Sequence, residues 1–269
     1  MPSNANFENA LPRKYHGSKP SNQSAQTDWS AYATAYDLLS LHNPEYRALM
    51  QKFENFLSTI DTPQIIYDIG GGTGSYTEIA AGAFPGSEIH LVEPDATMMR
   101  TARFKLSRYS KVNFHACALQ DFKAPGKADL IICVHALYTM PNQRERLDDL
   151  RRMVRPGGHL FLIDLGRYMD VSDWRRYLFA EIKRERGLIG AIKVFWQGRQ
   201  VAKQNKAILK SQQSGAYWTF NGPELAAAVT DADFEILKQQ PVYRGYSELL
   251  VCRARPEPHQ DNSKAAVAR

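Results

Sequence analysis

Five short apolar runs recur between residues 65 and 164: "IIYDI", "EIHLV", "VNFHA", "DLIICV" and "HLFLID". Between them lie "SYTEIAAGAF", "DATMMRTARFKLSRYS" and "QRERLDDLRRMV", each long enough for a crossover helix. Strands that alternate with helices pair side by side in the same direction, because a parallel connection needs a long return path over the sheet face. This rhythm restricts the chain to an α/β architecture, a mostly parallel sheet with helices on both faces.

The chain's 269 residues suit one such domain with additions. No apolar stretch approaches the roughly 18 residues that span a bilayer, and the polar, turn-rich start lacks the apolar centre of a secretory signal. Cys117, Cys133 and Cys252 stand far apart in apolar surroundings. That spacing suits reduced thiols and a cytoplasmic setting, not a disulfide framework or a metal site.

Flanking segments set the boundaries. Asn43 offers an N-cap with Pro44 at the first helical position, followed by Tyr46, Leu49, Met50, Phe53, Phe56 and Leu57 at helical steps. "RPGG" at 155–158 stops a helix and turns into the fifth strand. From about 170 to 213 the pattern is helical with no strand. Asn221 and Pro223 then start another helix, followed by strand candidates "FEILKQQ" and "SELLVCRA". Of the formal net charge of +6, the segment Arg167–Lys210 holds the excess, with eleven Lys/Arg against four Asp/Glu. We divide the chain into a disordered tail (1–28), an N-terminal helical part (29–60), a core (61–166), a basic helical insertion (167–213), the end of the sheet (214–255) and a flexible tail (256–269).

The first strand runs into "DIGGGTGS". Glycines between strand and helix permit positive φ and let a ligand approach where a Cβ would stand. The dinucleotide pattern G-x-G-x-x-G would need a third glycine at Ser75. What fits instead is D-x-G-x-G-x-G, formed by Asp68, Gly70, Gly72 and Gly74.

With Glu93 ending the second strand nineteen residues after Gly74, residues 60–165 resemble the class I S-adenosylmethionine-dependent methyltransferases. The resemblance implies a Rossmann-like sheet of seven strands, the seventh antiparallel, with "SELLVCRA" its candidate. It also implies S-adenosylmethionine as cofactor. Gly70, Gly72 and Gly74 would receive the methionine end through backbone N–H groups, and Asp68 would tether its ammonium side. Glu93, followed by Pro94, would take the two ribose hydroxyls on its paired acceptor oxygens. Met98 would lie against the adenine or pack in the core. Near "HACALQDF" two registers stay open: backbone contacts at Leu119 with Ala118 replacing the acid, or a carboxylate from Asp121. Val134 closes the fourth strand.

Beyond it, His135 and Tyr138 stand where a transferable methyl would point. Methyl transfer depends mainly on alignment, with a general base serving hydroxyl or protonated amine acceptors, a task that suits His135. Asp129 reads as structural, and Asp164 as either structural or substrate-facing. The resemblance makes the segments before the first and after the fifth strand a lid. Trp29, Tyr32 and Tyr36 on one side, and Trp174, Tyr177, Leu178, Phe179, Phe195 and Trp196 on the other, would wall the acceptor. The expected substrate is a small aromatic or lipophilic molecule methylated at O or N. "HALY" lacks the Pro-Pro-aromatic signature of enzymes that methylate base amino groups, so nucleic acid is not the expected acceptor. The alternatives are an RNA or protein methyltransferase docking through the basic insertion, and a non-catalytic cofactor-binding module. The insertion also leaves room for peripheral membrane contact.

Overall fold

The structure, a computed structural model, describes Asp28, residues 42–168 and residues 170–256; the side chains of 200–202, both tails beyond those limits, and Trp29, Tyr32 and Tyr36 lie outside the described residues. Helix α1 (Pro44–Leu57) begins where its cap requires, the Asn43 Oδ1 accepting from the Glu45 N–H at 3.1 Å. Its buried stripe is Tyr46, Leu49, Phe53, Phe56 and Leu57, with Met50 only half-buried.

Seven strands follow: β1 (Ile65–Ile69), β2 (Glu88–Val92), β3 (Val112–His115), β4 (Ala128–Val134), β5 (Val154–Leu165), β6 (Phe234–Val242) and β7 (Ser247–Ala254). They form one sheet in the order β3-β2-β1-β4-β5-β7-β6. The first five pair in parallel, while β7 runs antiparallel to both β5 and β6. The expected antiparallel strand is therefore "SELLVCRA". β1 and β4 are central and buried on both faces, which is why they read as continuous aliphatic runs rather than alternating ones.

Side chains alternate between two apolar layers. On one face Ile66, Leu130, Phe161 and Ile163 pack with α1, α2 (Ser75–Ala83) and α3 (Ala96–Lys105). On the other, Tyr67, Ile131, Leu160 and Leu162 pack with α4 (Gln143–Met153) and α7 (Gly222–Asp231). The "RPGG" turn bulges out of the ladder: Ala128 pairs with Val154 but Leu130 already pairs with His159, and Gly157 takes φ +77°. Asp129, as read, is structural; its carboxylate accepts from the N–H groups of Gln64 and Ile65 and pairs with Arg155.

The insertion is two helices, α5 (Val171–Gln197) and α6 (Arg199–Gln213), and α5 breaks at Gly187, where φ 72° and ψ 175° leave the helical region. Among the described residues no helix is long and apolar enough to cross a membrane.

Phe53 joins α1 to the sheet: fully buried, its ring lies 4.9 Å from Phe161 and 5.3 Å from Tyr76. Phe53→Ala should leave a cavity there and lower the unfolding free energy by about 3–5 kcal/mol in a denaturant titration; a loss under about 1 kcal/mol would mean that α1 contributes little to the core.

Candidate active site

Ligands in open α/β sheets bind beyond the carboxyl ends of the strands, and the glycine turn leaves β1 at that edge. Gly70 and Gly72 take φ +68° and +57°. At Gly70 a Cβ would stand 2.4 Å from that of Ala136, so the loop after β1 presses directly on the loop after β4. At Gly72 it would stand 3.3 Å from the Met98 sulfur, across the floor of a cavity of about 520 Å³.

The loop's N–H groups are largely committed within the protein. Those of Gly70 and Gly71 donate to the Val92 carbonyl at 2.8 and 3.2 Å, and that of Gly74 to the Gly71 carbonyl at 2.9 Å. The N–H of Gly72 donates to Glu93 Oε2 at 3.0 Å, and that of Asp95 to Glu93 Oε1 at 2.8 Å. The expectation that these glycines offer free donors to an anion is corrected accordingly: they supply a bare surface. Glu93 is 7% exposed, and burial pushes its carboxyl up to about 7 although both hydrogen bonds pull it down.

Of the residues singled out from the sequence, Gly70, Gly72, Glu93, Pro94, Met98, Leu119, Val134 and His135 all line this cavity. Four do not. Asp68 is buried behind the loop, where its Oδ2 accepts from the Thr77 hydroxyl at 2.6 Å and desolvation raises it to about 6. Gly74 packs under α3, a Cβ there falling 2.6 Å from Leu106. Asp121 closes a 3-10 turn, Leu119–Asp121, with its side chain exposed, so Ala118 and Leu119 face the cavity in its place. Tyr138 sits in the 3-10 turn Leu137–Thr139 and points into an aromatic cluster, its ring edge-on to Tyr217 at 5.4 Å.

Cys117, Gln120, Thr139, Met140 and Tyr217 complete the wall. Tyr217 arrives from beyond the insertion, so nothing local in the sequence marks it. Asp28 stands at the same cavity, its N–H donating to Gln204 of α6 at 2.9 Å, which brings the insertion over the site. Trp174, Leu178, Phe195 and Trp196, expected to wall the acceptor, line a separate cavity of about 440 Å³.

His135 follows β4 with φ +51°, a strained conformation for a non-glycine residue. The Ile163 carbonyl accepts its N–H at 2.7 Å, its Nε2 lies 2.8 Å from the Ser247 hydroxyl, and its ring meets Tyr243 edge-on at 5.2 Å. Burial pushes the imidazole down to about 4, so it is neutral at pH 7 and a weaker base than a solvated histidine. No three His, Cys, Asp or Glu side chains among the described residues are grouped to hold a metal ion.

Residues 67–160 match the family described as "Methyltransferase domain". The fold agrees with that of the N-methyltransferase NodS from Bradyrhizobium japonicum, solved with S-adenosyl-L-homocysteine: TM-score 0.58, 16% identity, 86% of this chain and 100% of that one. The chain has the Rossmann-like methyltransferase fold. Across 185 residues it is 28% identical to the non-reducing polyketide synthase adrD of Penicillium roqueforti, covering 63% of this chain and 7% of the synthase. Across 123 residues it is 28% identical to the ubiquinone biosynthesis O-methyltransferase of Aromatoleum aromaticum, covering 45% of this methyltransferase-fold chain and 50% of the relative. It thus spans at most about half the length of either relative.

Asp164, near the end of β5, is 3% exposed and off the cavity wall; desolvation pushes it up to about 8, and its Oδ1 has no hydrogen-bond partner among the described residues. The folded chain keeps this proton at pH values where the unfolded chain, with an aspartate near about 4, has released it. The stability that this provides is therefore full below about 4 and drains away as pH rises toward 8. In thermal or urea unfolding, Asp164→Asn should gain on wild type across that window, with a limiting slope of about 1.4 kcal/mol per pH unit. A pH-independent difference would show that Asp164 ionises normally.

Proposed function

We propose that the chain is an S-adenosylmethionine-dependent methyltransferase whose acceptor is a small aromatic or lipophilic molecule, methylated at O or N. One observation carries this reading: a buried carboxylate, Glu93, faces the same cavity as a side-chain-free turn at Gly70–Gly72.

The residues fit the cofactor. Each oxygen of Glu93 accepts a single backbone N–H, leaving acceptor capacity for two neighbouring hydroxyls such as a ribose diol presents. Met98 and Leu119 offer soft apolar surfaces for a flat heterocycle. Gly70 and Gly72 line the same cavity as Val134 and His135 at the end of β4, so a bound chain can run from the glycine turn toward β4. When bound, S-adenosylmethionine supplies an electrophilic methyl carbon on a sulfonium.

His135, Thr139, Met140 and Tyr217 form the part of the wall that would face the acceptor. Their chief task is to hold it in line and exclude water, since orientation can supply about 7–11 kcal/mol of a barrier. His135, held by Ser247 and Tyr243, positions the acceptor and receives its proton weakly. The named relatives that act on small molecules, among them the ubiquinone biosynthesis O-methyltransferase, support this substrate class.

Titration of the full chain with S-adenosylhomocysteine tests the cofactor assignment. A diol bonds the ionised form of Glu93, so affinity should rise with pH up to about 7 and then level, with proton release on binding below that point. Glu93→Gln should weaken binding roughly 10-fold or more and abolish the pH dependence. Unchanged affinity in that variant would refute the assignment. His135→Ala should keep cofactor affinity but lower kcat on an accepted metabolite by about 10²-fold, whereas full turnover would reduce the histidine to packing. Turnover with RNA and none across a metabolite panel would overturn the substrate class.

A further inference from the structure

The basic insertion carries a feature that the cofactor cavity leaves unexplained. Beyond the break at Gly187, the second limb of α5 exposes Leu188 (52%), Ile189 (84%), Ile192 (56%) and Trp196 (68%). These steps of one, three and four residues align the side chains in one stripe along a helix. Of the seven large hydrophobic residues exposed among those described, four fall within these nine positions, a clustering that scattered surface apolar residues do not show.

The charge around the stripe is one-sided. From Gly187 to Gln213 the sequence contains five Lys/Arg, at Lys193, Arg199, Lys203, Lys206 and Lys210, and no Asp or Glu. The Arg199 guanidinium lies over the Trp196 ring at 4.6 Å, a cation and an aromatic ring held together at the stripe's end. Lys193 lies within the stripe's span and is itself exposed.

Directly beneath lies the 440 Å³ cavity, walled by Val194, Phe195 and Trp196 of this limb and by Trp174, Leu178 and Ile182 of the first. Trp196 belongs both to the cavity wall and to the exposed stripe, so the apolar interior is continuous with the apolar exterior. At its inner end Trp174 stacks on Tyr243 at 4.5 Å, and Tyr243 meets His135 at 5.2 Å. Two rings separate this cavity from the candidate active site.

We propose that the second limb of α5 seats on an anionic lipid bilayer, its Leu188–Ile189–Ile192–Trp196 stripe entering the acyl boundary while the flanking cations meet the headgroup phosphates. Charge and apolar character both match such a surface, which attracts a basic amphipathic helix through its field and then buries its aliphatic face. Three of the four stripe residues are aliphatic, able neither to hydrogen-bond phosphate nor to stack on a base, so a nucleic acid would leave them exposed. The cavity opening at Trp196 gives an acyl or prenyl chain an apolar place to go on leaving the bilayer.

The test uses the full chain without cofactor, so its outcome is independent of methyl transfer. Wild type should co-sediment with phosphatidylglycerol–phosphatidylcholine vesicles and not with phosphatidylcholine alone, and high salt should weaken the interaction. Ile189→Asp with Ile192→Asp, at positions already in solvent, should reduce vesicle binding roughly tenfold or more while melting and S-adenosylhomocysteine affinity stay unchanged. Independently of that variant's folding, vesicles of brominated lipid should quench tryptophan fluorescence in wild type, and Trp196→Phe should remove most of the quenching. Absence of anionic-vesicle binding, binding unaffected by the two aspartates, or stripe-dependent capture by an RNA oligonucleotide or an acidic protein in preference to vesicles would overturn the proposal.

Discussion

The hydrogen bond from the Gly72 N–H to the Glu93 carboxylate ties the ends of two strands that would otherwise part company. β1 and β2 are joined along their ladder as far as Ile69 and Val92, and beyond it the chains turn apart into separate helices. The Val92 carbonyl, accepting from Gly70 and Gly71, begins the closure, and Glu93 completes it by gathering the N–H groups of Gly72 and Asp95. A carboxylate at this depth is costly unless donors surround it. Here the protein supplies two and leaves the remaining acceptor positions toward the cavity. The same interaction therefore closes the fold and opens the site.

The acids at this edge of the sheet share a condition. Asp68 near the end of β1, Glu93 just after β2 and Asp164 near the end of β5 are all raised by desolvation, to about 6, 7 and 8. Only Glu93 lines the cavity. Asp68 is satisfied by Thr77 and supports the turn from behind, a structural task for a residue whose position in the motif suggested contact. Of these three carboxyls Glu93 alone can present its charge to a ligand, and a cation or hydroxyl donors arriving there would favour its ionised form.

Where the side-chain rhythm is regular, the chain announced its structure. The aliphatic runs at 65–69 and 129–134 became the central strands, Asn43 and Pro44 began α1, and "SELLVCRA" runs antiparallel between β5 and β6. Gly70, Gly72 and Glu93, singled out from the sequence, stand together on one cavity wall, whereas Gly74 of the same motif packs under α3. What escaped depends on the direction of a single turn. The two 3-10 turns at Leu119–Asp121 and Leu137–Thr139 rotate Asp121 to solvent and Tyr138 into packing, outcomes that spacing along a sequence does not encode. Tyr217 lines the site from a segment far beyond β4 in the chain, and the break at Gly187 carries no proline.

A crystal structure of the full chain with S-adenosylhomocysteine would show whether Glu93 holds the ribose. The nucleoside should lie in the cavity lined by Glu93, Met98 and Leu119, with both ribose hydroxyls donating to the oxygens of Glu93 at about 2.5–3.0 Å. A ribose bound elsewhere, or a Glu93 carboxylate holding only its two backbone partners with the nucleoside in place, would contradict it.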